Sequence, residues 1–310
     1  MTRTLLIGAG QVGRKHLTAL AATPHLAVVG IAEPAPLPAA LAAGVPVFTE
    51  YRRALAAVRP ELVVVATPPG TSLRIAREAA ATGARVLVEK PVVIDPEELE
   101  PDVLDARIAV AFQPHFAPGL ADLLTRPPAI TRAHVVLSCR RDAHYYRGWR
   151  ARWASAGGIL HQQATHGLAL ALRLLPELAP CSCVASVEHR RQFGEAEDRV
   201  QASIGFGEGR ELVLDGRVDS DDPPRHEVRL TCASGRVLSI AGRNLEAGLG
   251  EDITAATHTE LRSTLYRALI DLDRSGPAHP GLFPLGELRP VLEVIAGVYR
   301  AAGRRVRAAA

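Results

Sequence analysis

Residues 4–22, Thr4-Leu5-Leu6-Ile7-Gly8-Ala9-Gly10-Gln11-Val12-Gly13-Arg14-Lys15-His16-Leu17-Thr18-Ala19-Leu20-Ala21-Ala22, decide the fold. A short apolar run ends in glycines, and from Gln11 the apolar side chains recur at helical spacing. Gly8, Gly10 and Gly13 stand in the spacing GxGxxG between that strand and that helix. The first permits a tight turn, the second lets a pyrophosphate approach the backbone, and the third allows close helix–strand packing. Gln11 and Val12 open a helix whose N-terminus favours an anion. Glu33 closes the next apolar run, Ala27 to Ala32, where an acidic side chain accepts hydrogen bonds from an adenosine ribose diol. The same carboxylate repels a 2′-phosphate, and Pro34-Ala35-Pro36-Leu37 brings no Arg or Lys to hold one. NAD is therefore expected ahead of NADP, with NADP left open.

Outward from this stretch the alternation continues. Glu61 to Ala66, Arg85 to Val88 and Arg107 to Phe112 read as buried strands, with a helix over Ser72 to Thr82 that Gly83 stops. Strands alternating with helices imply a parallel sheet covered on both faces. From about residue 130 the pattern changes to strands joined by short polar turns: Thr131 to Cys139, Cys183 to His189, Val200 to Phe206, Glu211 to Val218, Glu227 to Cys232 and Arg236 to Ile240. Gly207-Glu208-Gly209 and Ser234-Gly235 are hairpin signals. Helical patterns over Leu160 to Leu175, Glu260 to Leu272 and Gly286 to Ala302 accompany them. The fold class expected is α/β: an N-terminal Rossmann dinucleotide-binding domain over residues 1–117, then a C-terminal α+β domain over residues 118–310 with an open, largely antiparallel sheet. One face of such a sheet needs cover, which predicts a homodimer or homotetramer.

A length of 310 residues suits two domains. The net charge of +3 comes without a long basic run, which argues against a dedicated nucleic-acid binder. The longest apolar stretches, such as Leu168 to Leu175, fall well short of the ~20 residues that cross a bilayer. The first residues lack a secretory pattern, so a cytoplasmic location and no membrane partner are expected. Cys139, Cys181, Cys183 and Cys232 form no CxxC pair and have no His at zinc-ligand spacing, so no metal is expected.

Of 36 basic residues all but Lys15 and Lys90 are Arg. A position that remains Lys points to a need for ammonium chemistry. Lys90 follows a buried strand in Val88-Glu89-Lys90-Pro91, at the carboxyl edge of the sheet where ligands bind. Its ammonium can donate to a substrate hydroxyl or stabilise an alkoxide. In Gly157-Gly158-Ile159-Leu160-His161-Gln162-Gln163-Ala164-Thr165-His166, a helix from Leu160 makes Gln162 and His166 an i,i+4 pair that can address one ligand. A histidine titrates near working pH, so His166 is the candidate general base.

Taken together, the glycine fingerprint with His16, Ala66-Thr67-Pro68-Pro69, Glu89-Lys90-Pro91, Ala111-Phe112-Gln113-Pro114-His115-Phe116 and the Gly157 to His166 block resemble the Gfo/Idh/MocA oxidoreductase family. The resemblance runs from the first strand to the last helix. It implies a Rossmann domain followed by an α/β domain with an open antiparallel sheet. The implied activity is hydride transfer between a nicotinamide cofactor and a secondary alcohol or ketone of a sugar, nucleotide sugar, aminosugar or cyclitol. By the same resemblance Lys90 contacts the reacting oxygen and His166 accepts its proton. Gly8, Gly10, Gly13, Glu33, Thr67, Pro68 and Glu89 line the cofactor, and Gln113 and His115 border nicotinamide and substrate. Trp149 and Arg150 match a stretch leading into the active site, where Arg150 is a candidate for holding a substrate phosphate or carboxylate. Gln162 and Ala169 stand where many members carry acids, and Ser72 replaces a common histidine. A Gln orients an imidazole without stabilising an imidazolium by charge. The departures keep two alternatives in view: a non-catalytic NAD(P)-binding regulator, and an enzyme using transient hydride transfer for elimination or glycoside cleavage.

Overall fold

A computed structural model of the chain describes residues 1–303 apart from residues 43, 176–178, 243–244, 250–253 and 274–276. It divides into two compact units, and both interrupt the sequence. The first comprises residues 1–93, 100–113 and 257–286; the second comprises 94–99, 114–256 and 287–310.

In the first unit six strands form one all-parallel sheet: β1 (Thr2–Ile7), β2 (Leu26–Ala32), β3 (Val47–Phe48), β4 (Leu62–Val65), β5 (Arg85–Val88) and β6 (Ile108–Val110). Their spatial order is β3-β2-β1-β4-β5-β6, the doubly wound order whose direction reverses beside β1. Leu62 to Val65 are fully buried, as are Val86 to Val88, because helices cover both faces. The helices Gln11–Ala21, Tyr51–Val58 and Pro69–Ala81 follow β1, β3 and β4. The short β3 and the 51–58 helix were not foreseen from the sequence, where a two-residue strand leaves no periodicity to read.

The helix His258–Ile270 also belongs to this unit. It packs on the 11–21 helix and on β5, burying Leu261, Leu265, Tyr266 and Leu269. Thr23 and Ser263 join the two helices through their hydroxyls at 2.7 Å. The chain then lies along β6: Val110 N donates to Phe283 O at 2.8 Å, and the Phe112 and Phe283 rings meet edge to face at 4.6 Å. A single division between residues 117 and 118 thus does not describe the contacts. The exposed edge of β6 needs a cover, and it comes from residues far along the chain. Sequence periodicity identifies a helix but not the sheet on which it docks.

In the second unit β7 (Ile130–Ser138), β8 (Pro180–Glu188), β9 (Arg199–Phe206), β10 (Arg210–Arg217), β11 (Arg225–Cys232) and β12 (Val237–Ile240) form a sheet in the order β12-β11-β7-β10-β9-β8. Every pair is antiparallel except β7 with β10. Val135, Leu137, Ile204, Leu212, Leu214, Val228 and Leu230 point to one buried face. The helix Thr165–Leu174 packs against β7 and β11, and Leu288–Ala301 packs against β8. Burying each such aliphatic side chain contributes about 1.5–3 kcal/mol. The opposite face carries cross-strand pairs, among them Arg132–Glu211 at 3.1 Å and His134–Asp215 at 2.6 Å. No helix among the described residues is long and apolar enough to cross a membrane.

The 258–270 helix starts with a reciprocal cap. Thr257 Oγ1 accepts from Glu260 N at 3.2 Å, while Glu260 Oε2 accepts from Thr257 N at 2.7 Å. Backbone and hydroxyl hydrogen bonds from Thr257 hold the Glu260 carboxyl below its ordinary range. Thr257→Ala should cost about 1 kcal/mol, read as a lower urea midpoint for the first unit.

Candidate active site

The sequence-predicted cofactor residues of the first unit stand at one edge of the parallel sheet. Gly8, Glu33, Thr67, Glu89 and Gln113 each follow the carboxyl end of a strand, β1, β2, β4, β5 and β6 in turn. Gln11 and Val12 begin the helix at the glycine turn. A Cβ on Gly13 would lie 2.0 Å from the Gly8 carbonyl oxygen, so only glycine lets this helix approach β1. A Cβ on Gly10 would meet nothing within 4 Å; it would project into open space at the helix N-terminus. Glu33 is tied into the turn, with Oε2 accepting from Ala9 N at 2.7 Å and Oε1 from Ala35 N at 3.0 Å. Thr67 Oγ1 and Gln113 Oε1 are buried with no hydrogen-bond partner among the described residues. Buried polar atoms normally have partners. An open cradle, a fixed carboxylate and two unmatched polar atoms along one edge fit a dinucleotide. Pro68 is exposed and precedes the 69–81 helix.

Glu89 is buried and hydrogen-bonded to His16. His16 Nε2 lies 2.8 Å from Glu89 Oε1, and its Nδ1 lies 2.6 Å from the Tyr266 hydroxyl. Burial alone would raise the Glu89 carboxyl, but the His16 hydrogen bond and the charges of His16, Arg262 and Lys90 hold it below the usual range. The carboxylate must accept, so Nε2–H is the donor. Burial pushes the Tyr266 hydroxyl well up, which keeps it protonated. Lys90 follows directly and is half-buried. Sequence reasoning missed Tyr266, since no local motif marks a lone tyrosine in the last third of the chain.

In the second unit the expected continuous α-helix from Leu160 is replaced by a π-helical turn over Leu160–Ala164 that leads into the α-helix Thr165–Leu174. Such a turn widens the backbone ring to i→i+5. Gln162 and His166 therefore straddle a junction, and the Gln162 amide Nε2 donates to the Gly157 carbonyl at 3.0 Å. Thr165 Oγ1 donates to the Leu160 carbonyl at 2.7 Å, satisfying a main-chain group at the turn. The start of the segment is held by Glu197, which is wholly buried. Its Oε1 accepts from Ile159 N at 2.9 Å and from the Tyr299 hydroxyl at 2.5 Å, and that hydroxyl in turn accepts from Leu160 N at 3.1 Å. A Cβ on Gly158 would lie within 2.2 Å of the Tyr299 oxygen, which explains the glycine at this position. Orphan amides at a helix start are matched here by a carboxylate and a phenol. No local motif marks either residue.

His166 is half-buried in the first turn of its helix. His115 is wholly buried. Burial and the charge of Arg173 push its imidazole down to about 3, so it stays neutral. Trp149 and Arg150 are half-buried in the 148–151 turn, where the Arg150 guanidinium stacks 4.4 Å from the Trp149 ring. Among the described residues there is no cluster of His, Cys, Asp or Glu able to hold a metal, and the four cysteines are free.

Two family models match the chain in succession. Residues 2–106 match the oxidoreductase family with an NAD-binding Rossmann fold, and residues 129–238 match the GFO/IDH/MocA C-terminal domain. The chain belongs to the Gfo/Idh/MocA oxidoreductase family. Levoglucosan dehydrogenase of Pseudarthrobacter phenanthrenivorans is 29% identical over 335 aligned positions, covering 91% of this chain and 83% of that protein. A levoglucosan dehydrogenase structure in complex with NADH has a TM-score of 0.81 at 19% identity, covering 97% of each chain. GenD2 from gentamicin A biosynthesis, in complex with NAD, has a TM-score of 0.79 at 22% identity, covering 97% of this chain and 94% of that one. These two likenesses establish the family fold along the chain.

The two glycines of the turn separate stability from binding. Gly10→Ala should melt within a few degrees of the parent and weaken NADH binding at least about tenfold by filling the cradle. Gly13→Ala should lower the melting temperature strongly, because its Cβ meets main chain. Thermal melts and NADH fluorescence titrations of the two variants check both outcomes.

Proposed function

We propose that the protein is an NAD(H)-dependent dehydrogenase or reductase acting on a hydroxyl or keto carbon of a sugar-like substrate. The observation that carries this reading is Lys90. In a chain that otherwise uses Arg, it stands half-buried at the carboxyl end of β5, directly after a carboxylate locked by His16. Relatives named for levoglucosan oxidation and for gentamicin A biosynthesis support a sugar as the substrate class.

When bound, the nicotinamide dinucleotide supplies the hydride acceptor or donor. In the oxidative direction Lys90 donates a hydrogen bond to the substrate hydroxyl and stabilises negative charge on its oxygen as the proton leaves. His166 accepts that proton; reduction reverses both roles. Glu33 accepts from the ribose hydroxyls and disfavours a 2′-phosphate, which selects NAD over NADP. Gln162, fixed to the Gly157 carbonyl, orients the segment and adds no charge, so the His166 imidazolium is stabilised less than it would be by a carboxylate.

The test is a fluorescence titration with NADH and with NADPH, followed by turnover on a panel of sugars. NADH should bind more tightly, and Lys90→Ala should lower kcat by at least about two orders of magnitude. Wild-type turnover in that variant would remove Lys90 from the mechanism. Tight NADH binding without turnover on any sugar, or without net change in the cofactor, would replace this reading with that of a regulator or of an enzyme using transient hydride transfer.

A further inference from the structure

We propose that Arg262 determines which oxidation state of the cofactor the protein holds: its charge disfavours NAD+ and leaves NADH, whose ring is neutral, the more tightly bound form. This goes beyond the dehydrogenase reading. It rests only on the part of that reading that puts a nicotinamide dinucleotide at the edge of the parallel sheet, and it does not depend on the substrate.

Among the described residues Arg262 is the only buried arginine, with 6% of its surface exposed. It lies in the 258–270 helix four residues before Tyr266, so the two share the face that packs against the 11–21 helix and β5. Its Nε is shut away from solvent with no hydrogen-bond partner, and it forms no ion pair among the described residues. Arg77, Arg173 and Arg191, which are less deeply buried, each hold a carboxylate. A guanidinium withdrawn from water without such a partner is costly. It also keeps its charge where an ammonium can lose it.

The carboxylate that feels this charge is Glu89, and the Tyr266 hydroxyl feels it as well. Glu89 is already hydrogen-bonded to His16 Nε2 at 2.8 Å, and Lys90 acts on it too. Its negative charge is therefore shared among its neighbours rather than given to Arg262 alone. The guanidinium remains a fixed positive charge behind the end of β5.

In a doubly wound sheet the two nucleotide halves bind on either side of the reversal in strand order. With Glu33 after β2 on the adenosine side, Glu89 and Lys90 after β5 belong to the nicotinamide side. The oxidised nicotinamide ring carries a positive charge. Hydride brings a proton and two electrons to the ring and cancels that charge, while the rest of the dinucleotide is unchanged. A fixed cation on this side thus acts against one form and not the other. At an effective dielectric constant of ~20, unit charges ~10 Å apart shift an equilibrium constant roughly tenfold. Burial spares Arg262 much of the screening by salt. A tenfold preference for NADH raises the potential of the bound couple by about 30 mV. That draws hydride from a substrate onto the ring and holds the reduced cofactor back from release.

The test is the ratio of two dissociation constants, measured on the nucleotide-free full chain: NADH by fluorescence titration, and NAD+ by its displacement of NADH. In the parent NAD+ should bind at least about tenfold more weakly than NADH. Arg262→Met, similar in length and uncharged, should narrow that gap at least about fivefold, while Arg262→Lys, which keeps the charge, should hold it within about twofold. Arg262→Gln is a second uncharged variant and gives the same reading if the Met variant does not fold. A residue that only supports helix packing would change both constants together and leave their ratio as it was. An unchanged ratio in the uncharged variants, an equal loss in Arg262→Lys, or a parent that binds both forms alike overturns the proposal. A parent that binds neither form removes the cofactor site and this proposal with it. The expected shift in ratio without turnover on any sugar leaves the proposal standing and removes only the dehydrogenase reading.

Discussion

His16 is wholly buried, and both of its ring nitrogens are committed, one to Glu89 and one to Tyr266. The imidazole comes from the helix that the glycine turn starts. The carboxylate ends β5 one residue before Lys90, and the phenol comes from the helix that closes the unit. Three segments remote in sequence are thereby fixed to one another at the edge where a dinucleotide would lie. A carboxylate this deeply buried is tolerable only when paired, and removing one partner of such a pair costs ~3–5 kcal/mol. The position of the lysine thus inherits the rigidity of the pair beside it.

Glu197 does comparable work in the second unit by different means. It is also a wholly buried carboxylate, but its partners are a main-chain amide and a phenol rather than an imidazole. Those bonds satisfy the start of a segment that carries Gln162, Gln163 and His166. The π-helical turn, with its wider ring, leaves main-chain groups to be matched by side chains, and Thr165 supplies one such match. Gly158 makes room for Tyr299 at this point.

Much of this was legible in the sequence because its signals are local. The glycine spacing, the acidic residue after the second strand, the buried runs and the change to short alternating strands each depend on neighbours within a few residues. Apart from β3, the strands of both sheets and the 11–21, 258–270 and 288–301 helices lie where periodicity put them, within a few residues. What was not legible is long-range. Nothing local tells that Tyr266 meets His16, that Phe283 covers β6, or that Glu197 reaches back to Ile159. The π-helical turn escaped for a related reason: Leu160, His161, Gln162 and Ala164 are all buried, so burial carries no period there, and the wider ring shows only in the hydrogen bonds. His115 was placed at a substrate by its motif, and its complete burial could not be read from the motif.

The interrupted first unit also constrains how the chain is made. A ribosome delivers β1 to β6 early, yet β6 has no cover and His16 has no tyrosine until the whole antiparallel sheet has been synthesised. During that interval the nascent parallel sheet exposes a strand edge, the kind of surface that draws chaperones or other nascent chains. Completion of the first unit is therefore coupled to the length of the second, so that insertions in the antiparallel sheet delay the closing of the nucleotide-binding fold.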